Sequence, residues 1–134
     1  MAYAKPLPKI DSLNRPFWEA ARECRLVVQT CRRCNDAHMP PTPVCPACLS
    51  DQQEWRTASG RGRLESWISF HRAYWDGFKD ELPYNVCLIR LEEGPLLVSN
   101  LVGSAGGTKL GAAVRAIYRR ITADLTLPLF ELVQ

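Results

Sequence analysis

The apolar and polar positions of this chain change period three times. Residues 1 to 13, MAYAKPLPKIDSL, show no periodicity and carry Pro6 and Pro8, which predicts an extended arm that orders only against another surface. A helical period begins at Asn14. Phe17, Ala20, Ala21 and Cys24 stand at i, i+3, i+4 and i+7, the single apolar stripe of a helix of about ten residues. Asn14 is placed to cap it, and Pro16 falls in the first turn, where its missing N–H costs little. Trp18 lies off the stripe and is expected to cover the zinc module or main domain, the alternative being an aromatic presented to a second surface. Leu26-Val27-Val28 then leads as a short strand into a cysteine-rich segment, and Glu54-Trp55-Arg56 leads out of it, so two short ribbons are expected there. Residues 58 to 134 read almost wholly as β. Leu64, Ser66, Ile68 and Phe70 alternate with Arg63, Glu65, Trp67, Ser69 and His71. Apolar runs over 84–91, 96–102, 114–121 and 127–133 complete five strands. Glu92-Glu93-Gly94-Pro95 supplies the turn chemistry that pairs the second and third strands as a hairpin. Gly103 to Gly111 is a glycine-rich connector before the fourth. This pattern fits a small Greek-key barrel of the OB type, although the strand count alone also fits an SH3-like barrel.

The cysteine-rich segment has a stronger chemical signal than any other. Cys31, Cys34, Cys45 and Cys48 form two Cys-x2-Cys pairs, and each pair is the knuckle in which one turn presents two thiolates to a tetrahedral ion. Zinc is favoured over an iron–sulfur cluster because the close pairs are separated by a stiff connector containing Pro40, Pro41 and Pro43. Four sulfurs leave no coordination position for water or substrate, so the metal is structural. Its apparent binding free energy, on the order of 10–16 kcal/mol, replaces a core that so short a module cannot build. Arg32 and Arg33 stand between the first ligands and are expected to offset the site's negative charge. His38 is read as a solvated loop residue. Cys24 and Cys87 fall on predicted apolar faces, where a reduced cysteine acts as a small hydrophobe.

Composition narrows the class. The chain has 134 residues, 46% hydrophobic and 23% charged, within the range of ordinary folded domains. No apolar run is long enough to span a bilayer and no apolar leader opens the chain, so a cytoplasmic location without membrane attachment is expected. In that reducing compartment paired cysteines are better metal ligands than disulfides. Four thiolates and one zinc ion reduce the formal charge of +3 to +1, which weakens the argument for a polyanionic partner. No nucleophile with its base, carboxylate pair or phosphate-binding glycine-lysine loop is visible, so no catalytic residue is assigned. The segment from Gly103 to Lys109 lacks the Gly-Lys-Ser/Thr ending of such a loop.

The segment between the first two barrel strands is unusual in a different way. His71, Arg72, Tyr74, Trp75, Phe78 and Lys79 place aromatic and cationic groups in one surface loop, bordering the usual ligand face of an OB barrel. Rings that stack on a base, with cations for phosphate, suit an adenine nucleotide such as coenzyme A or single-stranded nucleic acid. Asp76, Asp80 and Glu81 beside the rings argue against the nucleic acid. The alternative is a loop folded back to plug the barrel end.

The order of motifs resembles a known family. It runs from Asn14-Arg-Pro-Phe17-Trp18-Glu-Ala-Ala, through four cysteines around Met39-Pro-Pro-Thr-Pro-Val-Cys45-Pro, to Ser59-Gly60-Arg-Gly62, His71-Arg72, Pro83-Tyr84, Glu93-Gly94-Pro95, Asn100-Leu-Val-Gly103 and Leu127-Pro128. Over residues 11 to 132 this is similar to the bacterial and archaeal zinc-ribbon and OB-fold family once known only as a domain of unknown function and associated with acyl-CoA metabolism. The resemblance implies a mainly β chain: an N-terminal arm and helix over 1–25, a rubredoxin-like zinc ribbon over 26–57, and a five-stranded OB-fold barrel over 58–134. It implies one structural zinc on Cys31, Cys34, Cys45 and Cys48. It further implies a non-catalytic accessory subunit that binds acyl-CoA and partners a thiolase-like enzyme, an aldolase or a hydratase of lipid or sterol metabolism, in a homo- or hetero-oligomer. The alternative from the residues alone is a single-stranded nucleic-acid binder. The segment from Ala105 to Leu110 is glycine-rich where relatives carry acidic residues.

Overall fold

A helix forms where the stripe predicts it, but it ends early. In a computed structural model of the chain, which describes residues 5–103 and 108–133, α1 spans Arg15–Arg22 with Phe17, Ala20 and Ala21 buried. Its carbonyls at Ala20 and Ala21 accept from the N–H groups of Glu23 and Cys24 (2.9 and 3.0 Å), a tightened last turn. Cys24 then takes a left-handed φ of 58° and is exposed. It therefore does not complete the apolar stripe, because the chain leaves the helix before the stripe reaches it. Asn14 holds the N-cap position without a side-chain cap. Its Oδ1 instead accepts from the Asp11 N–H (2.8 Å) and its Nδ2 donates to the Lys9 carbonyl (3.0 Å), which ties the arm to the start of the helix. Residues 1–4 of the arm and 104–107 of the glycine-rich connector lie outside the described residues.

The cysteine-rich segment is a three-stranded antiparallel sheet, one strand more than two ribbons require. β1 (Val27–Cys31) is central, flanked by β2 (Ala37–His38) and β3 (Gln53–Thr57). Every residue of β1 is buried. The rest of the fold is a curled five-stranded sheet made of β4 (Arg61–Phe70), β5 (Tyr84–Leu91), β6 (Leu96–Ser99), β7 (Ala113–Arg120) and β8 (Thr126–Leu132), in the order β6-β5-β4-β7-β8. A 3-10 helix, Asp76–Glu81, lies in the β4–β5 connection. The β5–β6 hairpin closes through the expected turn, with the Leu91 N–H donating to the Pro95 carbonyl at 3.0 Å. The two ends of the sheet meet at one parallel bridge, Leu101 with Phe130. There the Phe130 N–H donates to Asn100 (3.1 Å) and the Val102 N–H to Phe130 (2.7 Å). The result is a half-barrel, closed at one corner and open along the rest of β6 and β8, as in a partly open OB fold.

A β-bulge changes the reading of β4. Leu64 opposes Ile89 while Ser66 opposes Leu88, so Glu65 is the extra residue and the faces exchange at that point. Leu64 is fully buried, whereas Ile68 is 56% exposed on the opposite, outer face. The simple alternation expected from 64 to 70 is thus broken. One core joins all parts: Phe17 of α1, Leu26 and Val28 of the ribbon, and Leu64, Ile89 and Phe130 of the half-barrel belong to one buried cluster. Among the described residues no helix is long and apolar enough to cross a membrane.

Candidate functional site

The four predicted ligands converge. The sulfur atoms of Cys31, Cys34, Cys45 and Cys48 all lie within 4.8 Å of one another. The Cys31–Cys48 and Cys34–Cys45 separations are both 3.6 Å. A tetrahedral zinc with Zn–S bonds of about 2.3 Å sets its sulfurs about 3.8 Å apart, so the donor set fits that ion. The N–H groups of Arg33 and Cys34 point at the Cys31 sulfur (3.3 and 3.4 Å), and that of Ala47 points at Cys45 (3.4 Å). The Cys34 N–H is the leading cause of a Cys31 pKa lowered to about 6, with burial opposing it. Backbone dipoles therefore favour the thiolate there. The Arg32 and Arg33 side chains are exposed, and Arg32 turns to Glu54 at 3.7 Å.

His38 is not a solvated loop residue. It sits in β2 and is buried, with Nε2 2.9 Å from Gln29 Oε1 and Nδ1 3.1 Å from Asp36 Oδ2. Gln29 Oε1 also accepts from the Thr42 N–H at 2.7 Å, and Gln53 Nε2 donates to the Thr42 carbonyl at 2.7 Å. This network fixes the proline connector onto β1 and β3. Strand pairing brings His38 under the connector, which local spacing does not show.

The aromatic–cationic loop is only partly folded on itself. Phe78 stacks on Tyr84 (centroids 4.7 Å apart), Tyr84 stacks on Phe70 (5.0 Å), and Tyr74 meets Phe70 edge-on (6.1 Å). The Arg72 guanidinium lies 5.3 Å from the centre of the Tyr74 ring. Lys5 of the arm places Nζ 5.0 Å from the Phe78 ring centre and pairs with Glu81. Lys79 pairs with Asp76 at 3.3 Å. Tyr74 and Trp75 remain 61% and 57% exposed, and His71 is exposed just beyond β4. The structure thus gathers Arg72, Tyr74 and Phe78 into one stack. His71, Trp75 and Lys79 stand outside it.

Strand pairing extends this stack into a larger surface that the sequence reading missed. On the outer face, Phe70 pairs with Tyr84, Ile68 with Val86, and Ser66 with Leu88, which in turn pairs with Val98. Rows on one face of a strand repeat about every 7 Å, so the apolar face runs about 14 Å from Tyr84 to Leu88. Val98 is 68% exposed. There the face meets a groove of about 620 Å³ at the open side of the half-barrel. Its walls are Trp18 of α1, Met39 and Pro40 of the connector, Leu96 and Val98 of β6, and Pro128 of β8. Trp18 meets Phe17 edge-on (5.0 Å) and packs against the shared core. One signal was present in the sequence: β5 and β6 are apolar at consecutive positions, the mark of strands that have cover on both faces.

Comparison with known proteins agrees with this architecture. Residues 18–54 match the model of the ChsH2 rubredoxin-like zinc ribbon domain, and residues 55–119 match that of the ChsH2 C-terminal OB-fold domain. A "Probable enoyl-CoA hydratase alpha subunit" of Thermomonospora curvata is 39% identical over 95% of this chain. The chain spans 40% of that relative's length. A "DUF35 domain-containing scaffold protein" of Methanocaldococcus jannaschii is 30% identical over 85% of this chain and 82% of its own. A solved structure described as an Ltp2-ChsH2(DUF35) aldolase superposes with a TM-score of 0.83 at 36% identity, covering 94% of this chain and 98% of the other. A DUF35 protein of Sulfolobus solfataricus, at 16% identity and a TM-score of 0.64 over 91% of this chain and 86% of its own, shares the fold.

Proposed function

This chain belongs to the DUF35 family of ChsH2-type zinc-ribbon and OB-fold proteins, and from that premise we propose that it is a non-catalytic accessory subunit that binds acyl-CoA and assembles with an acyl-CoA enzyme. The partner is a thiolase-like enzyme, an aldolase or a hydratase of lipid or sterol metabolism. The observation that carries this reading is the largely apolar face from the Phe70–Tyr84–Phe78 stack to the groove between Trp18 and Val98. Such a strip is costly to leave in water and has the length and chemistry to cover an acyl-pantetheine arm. Arg72, Tyr74, Trp75, Phe78, Lys79 and His71 border its far end and are the groups we assign to ligand or partner contact. The metal fits a structural part, since four thiolates fill a tetrahedral ion and leave no position for a reacting molecule. The names of the relatives support the same reading: three of them are called scaffold proteins. On this reading the chain works in the reducing cytoplasm, where unpaired cysteines hold metal.

The test is coexpression with a thiolase-like enzyme, an aldolase or a hydratase from the same source, followed by calorimetry with acyl-CoAs of several chain lengths. A stable assembly that binds acyl-CoA is the expected result. Absence of both assembly and acyl-CoA binding, or tight binding of single-stranded oligonucleotides that weakens steeply with salt, overturns the proposal.

A further inference from the structure

The outer face of the half-barrel does not end at Leu88. Tyr84, Val86, Leu88 and Arg90 follow one another on the same side of β5, so Arg90 lies about 20 Å from Tyr84 and about 7 Å beyond Leu88. Arg90 is the cross-strand partner of Arg63, and Arg61, two residues before Arg63 on β4, is the partner of Arg115 on β7. Two like-charged pairs thus stand side by side on three neighbouring strands. Like charges directly opposite one another destabilise a sheet, so folding alone gives no reason for the arrangement. All four guanidiniums are exposed and border a dent of about 500 Å³.

Among the described residues the local carboxylates pair with only two of the four arginines, Arg90 and Arg115. Glu65 pairs with Arg90 at 3.0 Å and Glu131 with Arg115 at 3.3 Å. Glu92 also lines the dent, and its carboxylate accepts from the Ser59 hydroxyl at 3.0 Å. Arg63 Nη1 donates to the neutral Gly111 carbonyl at 3.2 Å. Among the described residues the Arg61 guanidinium has neither a hydrogen bond nor an ion pair. Arg61 and Arg63 therefore keep their charge, and most of their forked donors, for something else.

We propose that the dent between Arg61, Arg63, Arg90 and Arg115 is an anion site that takes the phosphoryl groups of a ligand lying along the apolar face. Guanidinium forks match phosphate oxygens two at a time, and a concave site with converging donors suits a compact polyanion better than a flat protein surface. The inference rests on the acyl-CoA reading for the identity of the molecule whose phosphates are held. It orients that molecule: phosphates at the arginines, acyl-pantetheine arm running past Leu88 toward the groove and the aromatic stack.

Calorimetry on the zinc-loaded full chain tests it, with inorganic pyrophosphate, coenzyme A, an acyl-CoA and an acyl-pantetheine that lacks the nucleotide as probes. The expected result is that pyrophosphate and coenzyme A bind more weakly as salt rises, and that R61A/R63A weakens both by about tenfold or more while leaving acyl-pantetheine unaffected. R61K/R63K, which keeps the charge and loses the fork, should fall between. Circular dichroism and zinc content confirm that these surface variants fold. If pyrophosphate fails to bind the unaltered protein, the anion site is overturned. If R61A/R63A binds acyl-CoA as tightly as the unaltered protein, the anion site is overturned and the acyl-CoA reading stands. Arginine-dependent binding of pyrophosphate without any acyl-CoA binding supports the site and overturns the acyl-CoA reading. Loss of enzyme assembly in R61A/R63A with anion binding unchanged assigns the cluster to a protein partner and overturns the site.

Discussion

Six cysteines in one chain have three different fates, and each is set by surroundings within a few ångströms. Cys31, Cys34, Cys45 and Cys48 face one another at metal-ligand spacing. Cys87 is 1% exposed on the inner face of β5, and burial chiefly pushes its pKa up from 9.0 to about 11. Cys24 is exposed beyond the end of α1. Limited alkylation at neutral pH is therefore expected to modify Cys24 alone in the zinc-loaded protein, the four ligands only after chelation, and Cys87 only on unfolding, as read by mass spectrometry. Early labelling of Cys87, or resistance of the four ligands after chelation, contradicts these assignments. The sign of the Cys87 effect follows from its raised pKa: the fold favours the neutral thiol, so its contribution to stability is complete below pH about 9 and is lost as pH rises toward 11. A decline in stability over that alkaline window, reduced in a Cys87→Ala variant, is the expected readout. The metal ligands were legible from sequence because paired spacing is local. The fates of Cys24 and His38 were not, since one depends on where a helix ends and the other on strands that pair across the connector.

At the scale of elements, the turn residues and apolar runs placed the five barrel strands, but nothing in the alternation from Leu64 to Phe70 marked the bulge at Glu65. That extra residue turns Ile68 and Phe70 outward and so builds the apolar face, whereas the plain pattern would have buried them. The close approach of β4 and β5 depends on Gly62. A Cβ there would stand 2.5 Å from the Arg90 carbonyl oxygen and 2.9 Å from Ile89 Cγ2. Gly62→Ala is expected to lower stability by about 2 kcal/mol by overpacking, with zinc content unchanged, as measured by urea denaturation. A neutral effect would show that the two strands separate without cost. Asn85 acts at the other end of the same strand pair: its Oδ1 accepts from the Leu101 N–H and its Nδ2 donates to the Leu101 carbonyl (2.6 and 2.7 Å). These bonds turn the chain after β6 toward β8, which closes the half-barrel at one corner and leaves the groove open along the rest.

For the whole molecule, the zinc ribbon is a wall as well as a staple. The network through His38, Gln29 and Thr42 holds the connector whose Met39 and Pro40 line the groove, while Phe17 and Val28 tie helix and ribbon into the barrel core. The groove was invisible in the sequence because Trp18, Met39, Val98 and Pro128 come from four distant segments, and only the tertiary fold sets them side by side. The loop of aromatic and cationic residues was visible, and strand pairing sets it at one end of a longer apolar face. Amide hydrogen exchange of the zinc-loaded chain with and without a medium-chain acyl-CoA tests the proposed function most directly. The expected result is protection concentrated in β5, β6 and the segment from His71 to Tyr84. Unchanged exchange throughout, or protection confined to the ribbon strands β1 to β3, would contradict it.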